Sequence, residues 1–392
     1  MTLGPLSRAQ QVQRFLQRHS LQAWIAWRPD ELLMLSGYFP YWGASLLIYF
    51  ADSSPLLFVP QIEPRDHIPA CLQIREYPWG DLKCRDPFSV LVSSVRDELA
   101  KAKINSANVG MNPSAARTSL PIQAGEQIPI PEDFGQQLSS LAPAHDAQYR
   151  STFAELYLRK TTEEIQAIRL ANNVANVGLQ AFHENSRPGA TETEIASAVE
   201  SAIYRQIGRD GIFHSRAWAM VQSGPNSADA GRFNRSTARR LENGDLILIE
   251  LATCVNGYWS DLTRTVAVGS PQSKAQEILD IVRGAQKAAL DAVRPGVSAA
   301  DIDALARNLI AAHGLASHFT HGTGHHVGFR YHDPGFGIVP GERAVLESGM
   351  VITVEPGVYV TERGAGARIE DNVLVTESGH EILSRFDSGA RP

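Results

Sequence analysis

Residues 245–268 read DLILIELATCVNGYWSDLTRTVAV, a pattern of two apolar β-strands joined by a turn at residues 255–257. Each strand carries one acid, Glu250 in the first and Asp261 in the second. Whether the turn centres on residues 255–256 or 256–257, strand alternation places both carboxylates on one face of the hairpin. Two buried like charges are unfavourable unless one takes a proton or a cation lies between them. The alternative is a pair of acids that faces solvent.

A second pair of apolar segments carries two more acids. Glu355 lies in TVEPG, residues 353–357, and Glu370 lies in RIEDN, residues 368–372. Both are predicted to sit within strands, because residues 350–360 and 367–376 are mainly apolar. Four strand carboxylates need a common explanation, and a buried carboxylate needs a partner.

Between the two hairpins the chain reads HGTGHHVG, residues 321–328, and His332 follows. The glycines free the backbone for a turn in which an imidazole can point at a ligand. Four histidines within twelve residues favour a metal or catalytic site over four structural side chains. Four carboxylates and one imidazole are mostly hard donors, which suit Mn, Co or Fe, and their charge balances two dications. Two such ions about 3.5–4 Å apart can share and acidify a water.

The motifs GYWSDLTRT, HGTGHH, VEPGVY and ARIEDNVLV resemble, in order and spacing, those of the pita-bread metallopeptidases, specifically the prolidase (Xaa-Pro dipeptidase) and aminopeptidase P branch. The resemblance implies an α+β pita-bread C-terminal domain and a smaller α/β creatinase-like N-terminal domain. It implies a dinuclear centre with two divalent metals per chain, Mn first and Co, Fe or Zn as alternatives. The implied metal ligands are Glu250, Asp261, His325, Glu355 and Glu370. The implied catalytic side chains are Glu355 as general acid/base, His321, His332 and Arg368.

The sequence departs from the family pattern at three positions. Glu250 stands where the first metal ligand is normally Asp, so metal spacing or occupancy can differ. Phe233 stands where a pocket histidine is usual, and a phenyl ring cannot polarise a carbonyl or move a proton. The loop before it is about two residues longer, so His214 or Arg232 compensates only if the loop turns that side chain inward. His326 replaces a glycine, either as an added ligand or acid or pointing away from the metal.

The rest of the chain fits two domains, residues 1–155 and 156–392, with loops expected over residues 112–146. The N-terminal domain is expected to support dimerisation and substrate access. Capping boxes at Thr161/Glu164 and Thr191/Glu194 open two helices after the boundary. Further elements are predicted as follows: helices at residues 7–19, 195–207, 274–293 and 300–313, and strands at residues 23–27, 45–50, 56–59, 245–253 and 258–268.

Composition narrows the class of protein. A net charge of −6 with scattered Lys and Arg argues against a nucleic-acid partner. No apolar run is long enough for a bilayer and no signal peptide is evident, so we expect a cytoplasmic protein without a membrane partner. Three widely spaced cysteines indicate neither a disulfide framework nor a zinc ribbon. By resemblance, a homodimer is expected, and residues 38–42 are where a substrate-closing loop would lie.

Three functions remain open from the sequence. The first is hydrolysis of Xaa-Pro-type amide bonds of short peptides through a metal-bound hydroxide. The second is a different reaction on a small molecule in a remodelled pocket, either C–N hydrolysis of a creatine- or ectoine-like substrate or a mono-iron lyase-type reaction. The third is a binding module without catalysis. The ligand set favours the first, whereas Phe233 and Glu250 favour the second.

Overall fold

The computed structural model describes residues 6–42, 44–112, 131, 133–142, 147–271 and 273–386. The chain separates into two compact units, Met1–Tyr157 and Leu158–Pro392. Most of the segment predicted as loops, residues 112–146, lies outside the described residues. Its described part includes a helix at Phe134–Leu141, so the prediction of loops is wrong there.

The elements of the N-terminal unit are α1 Arg8–Arg18, β1 Ala23–Ala26, α2 Pro29–Ser36, β2 Leu46–Phe50, β3 Leu56–Pro60, β4 Gln73–Tyr77, α3 Pro87–Lys101, β5 Val109–Met111, α4 Phe134–Leu141 and α5 Ala147–Leu158. The strands form a five-stranded sheet with the order β4-β3-β2-β1-β5. Within this sheet the pairs β1/β2 and β2/β3 are antiparallel, and the pairs β1/β5 and β3/β4 are parallel.

Local sequence signals account for this unit. Helix α1 begins at a capping box in which Ser7 and Gln10 satisfy each other's backbone N–H groups. Buried apolar side chains fill the sheet faces, and Trp24 stacks on Phe153 at 4.4 Å between ring centroids. The helix and the three strands predicted before residue 60 are therefore present, within one or two residues of their expected ends.

The described residues of the C-terminal unit form four α-helices and three small sheets. The elements are α6 Thr162–Asn185, α7 Glu192–Tyr204, β6 Ser215–Ser223, β7 Leu246–Val255, β8 Tyr258–Ala267, α8 Ser273–Ala292, α9 Ala299–Ala312, β9 Val351–Val354, β10 Gly357–Val360, β11 Ala365–Arg368, β12 Asp371–Val375 and β13 His380–Ile382. The sheets have the strand orders β6-β7-β8, β10-β11 and β13-β12-β9. Both predicted capping boxes are formed, at Thr161/Glu164 and at Thr191/Glu194.

The β7–β8 hairpin turns at Asn256 and Gly257, both of which have positive φ angles, 51° and 91°. A two-residue turn with this geometry matches the twist of the strands on either side. It fixes the register of the two strands. Of the two turn positions that the sequence allowed, the hairpin uses residues 256–257.

Two predicted strands are interrupted, and the interruptions hold acids. Residues 350–360 form β9 and β10, with Glu355 and Pro356 between them. Residues 367–376 form the end of β11 and then β12, with Ile369 and Glu370 between them. The expectation that Glu355 and Glu370 lie inside strands is therefore wrong. Pro356 has no N–H to donate to a ladder, and the chain passes from one sheet to another at both points.

Among the described residues, no helix is both long and apolar enough to cross a membrane.

Candidate metal centre

Four carboxylates and two imidazoles converge in the C-terminal unit. Their ligand atoms form three overlapping groups, each with all its atoms within 4.8 Å of one another. The groups are Glu250, Asp261 and Glu370; His325, Glu355 and Glu370; and Asp261, His325 and His332. The structure thus brings together all five residues that the sequence suggested as metal ligands. Glu250 and Asp261 come from strands β7 and β8, His325 comes from the segment before β9, and Glu355 and Glu370 come from the breaks between β9 and β10 and between β11 and β12.

Two carboxylate oxygens in this cluster lack hydrogen-bond donors. Asp261 Oδ1 and Glu370 Oε1 are buried and have no partner among the described residues. Burial and then the neighbouring acids raise the pKa of both Asp261 and Glu370 well above the usual range. Buried carboxylate oxygens without donors are suited to a cation, which would supply the missing positive charge. The residues present therefore fit a divalent metal.

Glu250 has a different environment from the other two buried acids. It accepts hydrogen bonds from the Tyr331 hydroxyl, from the Thr263 hydroxyl at 2.5 Å and from the Arg368 guanidinium. Burial alone would raise the pKa of Glu250, but Arg368 and the two hydroxyl donors outweigh it and the pKa is lowered. Glu250 is thus held ionised beside the unpartnered acids.

His325 points one ring nitrogen into the cluster. Its Nδ1 lies 3.0 Å from the carbonyl oxygen of His326, which can only accept, so Nδ1 carries the proton. In this tautomer of the neutral ring Nε2 has the lone pair, and it lies 3.3 Å from Asp261 Oδ2 and 3.4 Å from Glu355 Oε1. The neighbouring Gly324 permits this placement, because a Cβ there would lie 2.0 Å from the carbonyl oxygen of Thr353.

His321 belongs to a directed chain of hydrogen bonds. Arg368 donates to the Tyr359 hydroxyl at 2.5 Å, and this hydroxyl lies 2.9 Å from His321 Nε2. His321 Nδ1 lies 2.8 Å from the carbonyl oxygen of Gly322, so Nδ1 donates and Nε2 accepts from Tyr359. Burial lowers the pKa of His321, in agreement with a neutral ring.

The centre opens into a cleft of about 470 Å³. The residues that line it include Glu250, Asp261, His321, His325, His332, Glu355 and Arg368. Glu370 lies behind this surface and is almost fully buried. The cleft is large enough for a short peptide or a molecule of that size.

The sequence model of metallopeptidase family M24 matches residues 166–377, more than half of the chain. The chain belongs to metallopeptidase family M24. The Xaa-Pro dipeptidase of Lactobacillus helveticus is 30% identical over 369 residues, 92% of this chain and 91% of that protein. That of Pyrococcus furiosus is 39% identical over 234 residues, 59% of this chain and 65% of that protein.

The prolidase structure from Pyrococcus horikoshii OT3 covers 97% of this M24 chain and 99% of its own chain, at 26% identity and a TM-score of 0.74. The expected pita-bread fold with a smaller N-terminal domain is confirmed, as is the expectation of a metal-dependent hydrolase.

The departures from the M24 pattern have defined positions in the structure. Phe233 lines the cleft, where it is 41% exposed. Among the described residues, neither His214 nor Arg232 lines the cleft with it, and Arg232 bonds to Asp229 and Asn226 instead. His326 is buried and packs edge-on against Phe336, outside the three groups of ligand atoms.

Three residues of the M24 site were missed from the sequence. Thr263 touches both Glu250 and Glu370, and strand alternation two residues after Asp261 could have revealed it. Tyr331 and Tyr359 reach Glu250 and His321 only through the tertiary fold, so no local pattern marks them.

Proposed function

We propose that this M24 chain hydrolyses the Xaa-Pro amide bond of short peptides. The observation that carries the proposal is a cluster of carboxylates and imidazoles, with unpartnered buried oxygens, at the floor of a cleft of peptide size. Its relatives from Lactobacillus helveticus and Pyrococcus furiosus, named as Xaa-Pro dipeptidases, support the choice of substrate.

The proposed centre holds two divalent ions through Glu250, Asp261, His325, Glu355 and Glu370. Overlap of the ligand groups supports two neighbouring ions, since Asp261, His325 and Glu370 each belong to two groups. Oxygen-rich ligands favour Mn first, with Co, Fe or Zn as alternatives. When bound, such ions polarise an amide carbonyl and acidify water.

Glu355 is proposed to move the proton. Its carboxylate lines the cleft beside His325, and the Thr353 hydroxyl lies 3.2 Å from Glu355 Oε1 and can donate to it. A carboxylate in this position can take a proton from the attacking water and give it to the leaving proline nitrogen. Protonation of the proline nitrogen is needed because a neutral amine is a far better leaving group than a nitrogen anion.

Two histidines are proposed to face the peptide. His332 lines the cleft, and the structure gives its ring no hydrogen bond to another described residue, so its N–H can donate to the substrate carbonyl. His321 is held neutral by Tyr359 and orients the other side of the peptide. The Arg368 guanidinium is engaged by Glu250, Thr263 and Tyr359, and we assign it to holding these groups in place.

The N-terminal unit is proposed to support a homodimer. Trp42 is 44% exposed, while the backbone N–H groups of Tyr41 and Trp42 are held by the buried carboxylate of Glu63 at 2.8 and 2.9 Å. An exposed indole on an anchored backbone is typical of a contact surface. Light scattering of wild type and Trp42→Ala tests this, and an unchanged mass together with unchanged kinetics would contradict a role for Trp42.

A substrate panel tests the proposed activity. The Mn-loaded chain should release the first residue from Ala-Pro, Leu-Pro and Phe-Pro, and leave Leu-Ala intact or nearly so. Co, Fe and Zn loading in parallel identifies the metal that supports the highest rate. Loss of cleavage with every metal, on protein that carries the metal, would contradict the peptidase proposal and favour a reaction on another small molecule.

A further inference from the structure

The cleft has surfaces of two kinds. The floor carries the acids and histidines described above, whereas Ala230, Phe233 and Val339 line the cleft with apolar side chains. Such a division suits a ligand with a polar reacting group and an apolar side chain. We call these three residues the apolar wall.

The backbone of Phe233 is anchored although the residue is exposed. Its carbonyl oxygen accepts from Gln222 Nε2 at 2.8 Å, and three residues later the Ser236 hydroxyl accepts from the backbone N–H of Val221 at 2.7 Å. Both contacts tie the loop to strand β6. Since Phe233 is 41% exposed and lines the cleft, a bound ligand can remove apolar area from water without first ordering the loop.

Val339 packs closely against two glycines. A Cβ at Gly322 would lie 2.7 Å from a Val339 methyl, and one at Gly337 would lie 3.0 Å from it. The absence of side chains at these glycines lets Val339 lie directly on the turn that leads to His325. The Val339 part of the apolar wall therefore lies beside the turn that leads to the proposed ligand His325.

Among the described residues, no charged side chain of the loop that carries Phe233 lines the cleft. Arg232, next to Phe233, directs Nε to Asp229 at 3.2 Å and Nη1 to Asn226 at 3.3 Å, and does not line the cleft. An uncharged wall rejects a charged side chain, because its desolvation would not be offset by a partner.

We propose that Phe233, together with Ala230 and Val339, is a specificity-determining subsite for the side chain of the residue before proline, and that it selects large apolar side chains. This inference rests on the proposed Xaa-Pro activity. The proline ring includes the reacting nitrogen and must stay at the floor, whereas the preceding side chain extends away from the reacting amide and can reach Phe233. Phe233 occupies the position at which a pocket histidine is usual in the family pattern.

The test is kcat/KM for Leu-Pro, Phe-Pro, Ser-Pro and Asp-Pro with wild type, Phe233→Ala and Phe233→Leu. Wild type should prefer the first two substrates over the last two by about 10–100-fold, as expected for apolar contacts in a pocket. Phe233→Ala should lower kcat/KM for Leu-Pro and Phe-Pro about tenfold and change Ser-Pro less than about twofold, while Phe233→Leu should keep most of the preference. Leu305→Ala, an exposed residue on α9, is the matched control and should change nothing.

Equal losses for all four substrates in Phe233→Ala would overturn the proposal and assign the wall to proline or to structure. No loss at all would also overturn it. If the metal-loaded wild type cleaves none of the dipeptides, the proposed activity fails, and calorimetric binding of the intact Leu-Pro and Ser-Pro then tests the subsite alone. Tighter binding of Leu-Pro that is lost in Phe233→Ala would support it, and equal affinities would overturn it.

Discussion

Glu250 and Asp261 lie diagonally across the β7–β8 hairpin: Glu250 pairs with Thr263, and Asp261 pairs with Ala252. Residues two apart on a strand share a face, so both acids and Thr263 point to the same side. This offset leaves room for Thr263 between the acids, where its hydroxyl lies 2.5 Å from Glu250 and 2.8 Å from Glu370. The hairpin therefore brings a hydroxyl as well as two carboxylates to the centre.

Replacement of Thr263 by Val should destabilise the metal-free protein by about 1–3 kcal/mol, because buried partners lose their hydrogen bonds. The Arg368 Nε donor, 2.9 Å from the Thr263 hydroxyl, would be among them. Urea unfolding measures the change. Thr253→Val on the neighbouring strand β7 is the control, since the buried Thr253 hydroxyl has no hydrogen-bond partner among the described residues and its loss should cost little. Equal effects of the two substitutions would contradict the role of Thr263.

A buried ion pair holds the loop that carries His332. Lys160 Nζ lies 2.9 Å from Asp333 Oδ2, and both side chains are fully buried. Asp333 also accepts from the backbone N–H of Arg330 at 2.8 Å. Lys160→Met should therefore destabilise the protein by about 3–5 kcal/mol, because it leaves a buried carboxylate without its cation.

Guanidinium unfolding measures this loss, with Lys287→Met as the control. Lys287 pairs with Asp291 at 2.5 Å, but both side chains are largely exposed, so its loss should change stability by less than about 1 kcal/mol. A change of similar size in both variants would show that burial of the Lys160 pair has no special weight.

The stability of the fold should fall in acid partly through His214. Burial, followed by the charge of Arg216, lowers the pKa of His214 to about 4. The unfolded chain binds a proton near pH 6.5, whereas the folded chain does so only near pH 4, so stability is lost as the pH falls between these values. His214→Gln should reduce this loss by up to about 3 kcal/mol. Identical pH profiles of unfolding free energy in wild type and variant would contradict this.

Tyr359→Phe should lower kcat about 10–100-fold while metal content stays unchanged, because Tyr359 links Arg368 to His321 and is not among the grouped ligands. Steady-state kinetics and metal analysis on one preparation separate the two effects. Tyr204→Phe, at an exposed position, serves as the control. A variant with full kcat, or one that has lost its metal, would argue against this assignment.

The parts of the fold that could be predicted from sequence are those fixed by local chemistry. The alternation around Glu250 and Asp261, the Asn256-Gly257 turn and the capping box at Thr161 each act over a few residues, and each is present in the structure. The four acids stood out because carboxylates in apolar segments are exceptional, and the resemblance to the family then implied them, with His325, as the metal ligands.

The rest depends on contacts that are distant in sequence. Glu355 and Glu370 lie at breaks between sheets, although the apolar pattern continues through both and gives no sign of a break except Pro356. Tyr331 is 81 residues from the Glu250 that it contacts, and only the assembled sheets and turn bring the two together. The periodicity of apolar residues along the sequence carries no information about such long-range contacts.

The most direct test of the metal centre is metal content per chain after loading and desalting, measured on wild type, Glu370→Gln and the exposed control Glu377→Gln. We predict bound metal and Xaa-Pro cleavage in wild type and Glu377→Gln, and loss of both in a folded Glu370→Gln protein. Retention of full metal content and activity in Glu370→Gln would contradict the assignment of the metal centre to this cluster.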